Sequence, residues 1–149
     1  VPWLSELTKA CHEHGAKVMI QLTHLGRRSS WNTGDWLPVV APSNVREPAH
    51  RAFPKGIEDW DVERILDDYA DAAERMQAAG LDGIELQCYG HLIDGFWSPA
   101  TNRATTAGAG RWITGCASST WCWMRSATGS GRSSSSASAW WPTRTGTRA

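Results

Sequence analysis

Apolar and polar residues alternate along this chain in two different rhythms, and both fade near residue 103. Leu4, Leu7, Cys11 and His14 recur at helical spacing, and Gly15 follows where a helix needs a left-handed cap, which predicts a helix over 1–14. "AKVMIQL", from Ala16 to Leu22, is an apolar run of strand length between Gly15 and the polar "THLGRR". A second helix is predicted from Asp59, an N-cap candidate with Asp61 and Glu63 in its first turn, to Gly80. Val62, Ile65, Leu66, Tyr69, Ala73, Met76 and Ala79 mark its apolar face. "LDGIELQC", Leu81 to Cys88, then reads as another buried strand.

Helix, strand, long loop, helix, strand, with near-continuous apolar strands, predicts an α/β fold on a parallel sheet. The connection from Thr23 to about Glu58 carries Pro38, Pro42, Pro48 and Pro54. It exceeds the roughly 12 to 15 residues beyond which a loop is usually functional or unstructured, and it leaves the C-terminal end of a strand. A (β/α)8 barrel keeps its chemistry there, but such a barrel needs about 250 residues. Two strands and a leading helix therefore predict an interior piece of one, about its third and fourth strands with their flanking helices.

Composition divides the chain at the same place. All 15 acidic residues lie at or before Asp94, whereas 104–149 hold none, have no Leu, Val, Phe or Tyr, and carry five of the ten Trp. The zero net charge is thus the sum of two unlike parts, a domain over 1–103 and a low-complexity tail over 104–149 expected to be disordered. Four cysteines without a CxxC pair support neither a disulfide framework nor a zinc site, and His12 and His14 have no third ligand nearby, so no metal is expected. Cys88 reads as a small core residue. No apolar run approaches the roughly 18 residues of a membrane span and no signal peptide opens the chain, so the expectation is a cytoplasmic protein without a membrane partner. Five Arg in the tail are too sparse to predict nucleic-acid binding.

"HGAKVMIQLTHLGRR", "VVAPSNV" and "AAERMQAAGLDGIELQCYGHLIDGFWSPATNR" together resemble the FMN-dependent Old Yellow Enzyme family, in the branch of dienoyl-CoA reductases and trimethylamine dehydrogenase-like enzymes. The resemblance implies FMN as cofactor, NAD(P)H as electron donor and a small organic substrate. It places on Gln21 the strand-end glutamine that hydrogen-bonds the flavin ring, a role suited to an amide that donates and accepts at once. Arg28, beside Arg27 and His24, is the candidate cation for balancing a reduced flavin. Tyr89 and His91 are the candidate catalytic side chains over the flavin; their segment is one residue shorter than in the reductase branch. Tyr89 packed beneath the turn, with His91 capping it, is the structural alternative. The implied reaction is hydride transfer between NAD(P)H, flavin and an electron-poor alkene. Oxidation of a C–N bond, as in N-demethylation of a small amine or betaine, is the alternative, and an inactive truncated or frameshifted product is another.

The resemblance stops at Arg103, and the genetic code offers a reason. Reading the third base of each codon with the first two of the next turns Trp112-Ile113 into Asp. Trp121-Cys122-Trp123-Met124 becomes Val-Leu-Asp, and Trp140-Trp141-Pro142 becomes Val-Ala. Under TCN codons the run Ser133 to Ser136 becomes Phe, Leu, Ile or Val at each step, a buried strand. The tail is therefore expected to be an out-of-frame translation, and the chain by itself to hold FMN poorly. Sequencing the coding DNA from the codons of Ala100 to Gly110 onward past Ala149 is expected to recover one further base that opens a frame reading near "LDNRLR". An unaltered frame would make 104–149 a genuine appendage.

Overall fold

The structure, a computed structural model, describes residues 1–29, 39–49, 51–103 and 138–140. These fall into two compact units. The first contains Val1–Leu22, Asp67–Leu86 and, from 122–149, the described Ser138–Trp140; the second contains Thr23–Leu66 and Gln87–Trp121 as far as described.

Helix α1, Pro2–Glu13, starts on a proline, whose missing N–H costs nothing in a first turn, and the carbonyl of Val1 accepts the N–H groups of Leu4 and Ser5. It stops at Gly15, φ +74°, where the Gly15 and Ala16 N–H groups return to the carbonyls of His12 and Cys11. Its buried stripe is Leu4 and Thr8 with Cys11 half-buried, whereas Leu7 and His14 are exposed. Of the predicted positions 4, 7, 11 and 14, Leu4 and Cys11 lie on the inner side, and Thr8 takes the place expected of Leu7. Its Cγ2 methyl faces Gly80, 3.6 Å from where a Cβ would stand there.

Strand β1, Met19–Leu22, pairs in parallel with β4, Gly83–Leu86. Both are shorter than the apolar runs suggest. The Val18 N–H is committed to the Asp82 carboxylate at 2.9 Å while the Asp82 N–H donates to the Val18 carbonyl at 2.9 Å. This side-chain closure sets the register Met19↔Gly83 to Leu22↔Leu86 and leaves Ala16 and Lys17 exposed ahead of the strand. Ile84 is completely buried, and Leu86, Leu81, Ala79, Ala73 and Leu4 complete the core of this unit. The other edge of β4 carries β5, Ser138–Trp140, antiparallel. An open strand edge accepts an extended segment of either direction, so the sheet is mixed where the sequence predicts it parallel. The rest of the expected disordered tail lies outside the described residues.

Helix α2, Asp59–Ala78, is the connection between the two parallel strands. Asp59 is its first helical residue, not its cap; Glu58 precedes it and its carbonyl accepts the Val62 N–H. Asp61, almost fully buried, reaches back to the Glu58 N–H at 3.0 Å and receives the Lys55 ammonium at 2.6 Å, a capping-box arrangement. Val62, Ile65 and Ala73 are buried on the face predicted, and Gly80, φ +85°, ends the helix. In the second unit, two-residue strands β2, Val40–Ala41, and β3, Lys55–Gly56, pair in parallel inside the long connection. Two short 3-10 turns, Gly26–Arg28 and Asp94–Phe96, flank a core of Val40, Ala41, Ala52, Leu92 and Phe96.

Asp82 is 5% exposed and also receives His12 Nε2 at 2.7 Å and Lys17 Nζ at 2.9 Å. Burial pushes its carboxyl up, but the Val18 N–H, His12 and Lys17 outweigh that and hold it well below the usual carboxylate range. A folded-state value below the unfolded one gives stability that is complete above the ordinary carboxylate pKa and is lost as pH falls beneath it. Asp82→Ala is expected to lower stability at neutral pH by about 2 kcal/mol, chiefly through the unpaired Val18 N–H, since His12 and Lys17 can turn to water. Urea titrations at pH 7 and pH 3 check this: the variant's deficit should shrink at the lower pH.

Candidate active site

Gln21 lies in the first unit, the third residue of β1, directly beside Glu85 in the parallel register. Both side chains are exposed, and Gln21 Nε2 donates to Glu85 Oε2 at 3.2 Å. That contact uses one N–H and fixes the amide's orientation, leaving the carbonyl oxygen free to accept.

The other three predicted residues belong to the second unit. After β1 the chain folds through "HLGRR" into a 3-10 turn. His24 sets it: its Nδ1 accepts the Gly26 N–H at 3.0 Å, which requires that nitrogen to be unprotonated, and its carbonyl accepts the Leu92 N–H at 3.1 Å. Gly26, φ +57°, approaches so closely that a Cβ would stand 2.9 Å from the Leu92 Cα. The two arginines diverge. Arg27 donates to the carbonyls of Val45 and Arg46, each at 3.4 Å, while Arg28 brings Nε to 3.8 Å from the buried Glu47 carboxylate.

The second segment, "CYGHL", turns at Gly90, φ +76°. Its N–H donates to Asp94 Oδ2 at 2.6 Å, and a Cβ at Gly90 would lie 2.9 Å from Arg28 Nη1. Arg28 therefore packs against the backbone between Tyr89 and His91, and the structure brings these three predicted residues together. Tyr89 is 80% exposed, which excludes the alternative in which it packs beneath the turn. His91 is half-buried; its Nδ1 is shut off from solvent with no hydrogen-bond partner among the described residues. A buried ring nitrogen without a protein partner is costly, and an ordered water or a bound group are the two ways to satisfy it.

Sequence reasoning missed Glu47 and Asp94. Asp94 had a local signal, an Asp four residues after a glycine and at the first position of a helical turn. Glu47 had none, because its burial arises from how the loop closes: its N–H bonds Ala52 O and its carbonyl accepts the Arg51 N–H. Among the described residues no three His, Cys, Asp or Glu side chains are grouped to hold a metal, and no helix is long and apolar enough to cross a membrane. An open groove on the first unit, lined by Thr8, His12 and Gly80 among others, contains none of the predicted residues.

Comparison with known proteins gives the arrangement its context. The chain is 71% identical over 102 residues to a Rhizobium meliloti (strain 1021) protein named "Probable N-methylproline demethylase", covering 68% of this chain and 15% of that one. It is 49% identical over 104 residues to the N,N-dimethylglycine/sarcosine dehydrogenase of Chromohalobacter salexigens, covering 69% and 15%. The chain thus spans about 15% of the length of these relatives. Among solved structures, histamine dehydrogenase from Rhizobium sp. 4-9 matches with TM-score 0.74 at 26% identity, over 87% of this chain and 20% of that one. Morphinone reductase in complex with tetrahydroNAD matches with TM-score 0.62 at 27% identity, over 68% and 32%. A model of the "NADH:flavin oxidoreductase / NADH oxidase family" matches residues 1–111.

Gly26→Ala is expected to destabilise the chain by about 3 kcal/mol, adding left-handed strain to a clash with the Leu92 backbone. The midpoint of urea unfolding measures it; a loss below about 1 kcal/mol would contradict the tight approach of these two loops.

Proposed function

The chain belongs to the NADH:flavin oxidoreductase / NADH oxidase family, with the partial (β/α)8 barrel fold of its structural relatives, and from that premise we propose that residues 1–103 supply part of the site of an FMN-dependent oxidoreductase. The supporting observation is the cluster in which Arg28, Tyr89 and His91 meet at Gly90, with the His91 Nδ1 enclosed and unpartnered. The donor set suits a flavin and a small polar substrate. In the first unit Gln21 carries an amide of the kind that meets a flavin ring edge; in the second, Arg28 is a cation suited to an anionic flavin, and His91 and Tyr89 are groups that bind or move a proton on a substrate. FMN, when bound, supplies the hydride chemistry, accepting from NAD(P)H and passing to an electron-poor alkene.

A second reading is oxidation of an N-methyl group, and the names of the two relatives at 71% and 49% identity favour it. Here a hydride from the N-methyl carbon would pass to the flavin, water would add to the resulting C=N iminium carbon with release of one proton, and formaldehyde and the demethylated amine would separate. In this reading the exposed Tyr89 lines the site of the alkylated nitrogen and a protonated His91 binds a substrate carboxylate.

Titration of FMN into the chain, followed by quenching of flavin fluorescence, is expected to saturate weakly. Gln21→Ala and Arg28→Ala should each weaken it about five- to tenfold, the loss of one hydrogen bond to a charged or ring-edge partner. Binding by both variants as tight as by the unaltered chain would defeat the assignment. Where the flavin binds, anaerobic bleaching by an N-methylated amino acid rather than by NADPH followed by enone turnover separates the two chemistries.

A further inference from the structure

Glu47 is 3% exposed, in a loop that the reading above does not use. An ionised carboxylate taken from water needs a cation or several donors around it, and here the Arg28 Nε stands 3.8 Å from Oε1. The loop that delivers it is closed on itself through Ala52 and Arg51 and is held from outside by Arg27, which donates to the two carbonyls just before Glu47. The carboxylate is therefore a fixed point. On the far side of the same guanidinium, Nη1 lies against Gly90, whose N–H is held by Asp94. The left-handed turn that carries Tyr89 and His91 is thus held by the Asp94 carboxylate at the Gly90 N–H and has the Arg28 guanidinium packed against Gly90.

We propose that Glu47 is a positioning residue: it fixes the Arg28 guanidinium against Gly90, and through it the placement of Tyr89 and His91. Its purpose rests on the flavin reading given above, whereas the geometric claim is separable from it. Without the carboxylate, Arg28 is a half-exposed side chain with rotamer freedom, and the Gly90 turn loses the guanidinium packed against it.

The test uses the complete 149-residue chain labelled with 15N, comparing Glu47→Gln, Arg28→Lys and the double variant, with two readouts. The Gly90 amide resonance is expected to move in each single variant. FMN affinity is expected to fall about tenfold in each and no further in the double, because both act through one guanidinium. Glu47→Asp keeps the charge one methylene back and serves if Glu47→Gln fails to fold; it should displace the Gly90 resonance in the same direction by less. A Gly90 resonance unmoved by loss of the Glu47 carboxylate overturns the proposal, as do FMN effects that multiply in the double variant. If the unaltered chain takes no FMN, the flavin reading fails, and the Gly90 resonance alone decides the positioning role.

Discussion

The first unit depends on one carboxylate. Asp82 accepts the Val18 N–H with its side chain while its own N–H donates to the Val18 carbonyl, so the two parallel strands are locked together one residue before their ladder begins. Side chains alternate with period two along a strand, and a slip of one residue would turn Gln21 and Glu85 to the opposite side of the sheet. A four-residue parallel pair has few ladder bonds with which to resist such a slip. His12 from the end of α1 and Lys17 from the segment just ahead of β1 converge on the same carboxylate, so the helix end and the approaches to both strands share one anchor.

The second unit is organised by close backbone approaches, and charge completes them. Gly26 lets the "HLGRR" turn touch Leu92, and Gly90 lets its own turn accept Arg28; both glycines adopt a conformation that other residues rarely adopt. Buried Glu47 and half-buried Asp94 then supply the two negative groups beside a cation and an N–H. These are loops at the C-terminal ends of β1 and β4, where barrel enzymes carry their chemistry, and where sequence can vary without disturbing the strands.

Much of this was legible from residue order. The C-terminal ends of both helices followed from Gly15 and Gly80, whose backbone preferences act locally, and the buried face of α2 followed from a period of 3.6 sustained over twenty residues. Strand lengths were overestimated, because an apolar run does not reveal that Asp82 takes the Val18 N–H out of the ladder. The stripe on α1 was misread at Leu7 for a related reason. Thr8 is buried because the fold packs its methyl group against Gly80, far away in sequence.

By itself the sequence determined the order of helices and strands, the change of composition near residue 103, and the family motifs that carry Gln21, Arg28, Tyr89 and His91. These are local or pattern properties, fixed by side-chain period, backbone preference and motif. Tertiary structure alone decided that Arg28 meets the turn between Tyr89 and His91, that Tyr89 stands in solvent while the His91 Nδ1 is enclosed, and that Glu47 is buried behind the arginine. Each of these joins residues about 19 to 62 positions apart across loops whose closure no periodic pattern encodes. Burial and charge pairing there are set by which backbones can approach, and that is a property of the folded chain.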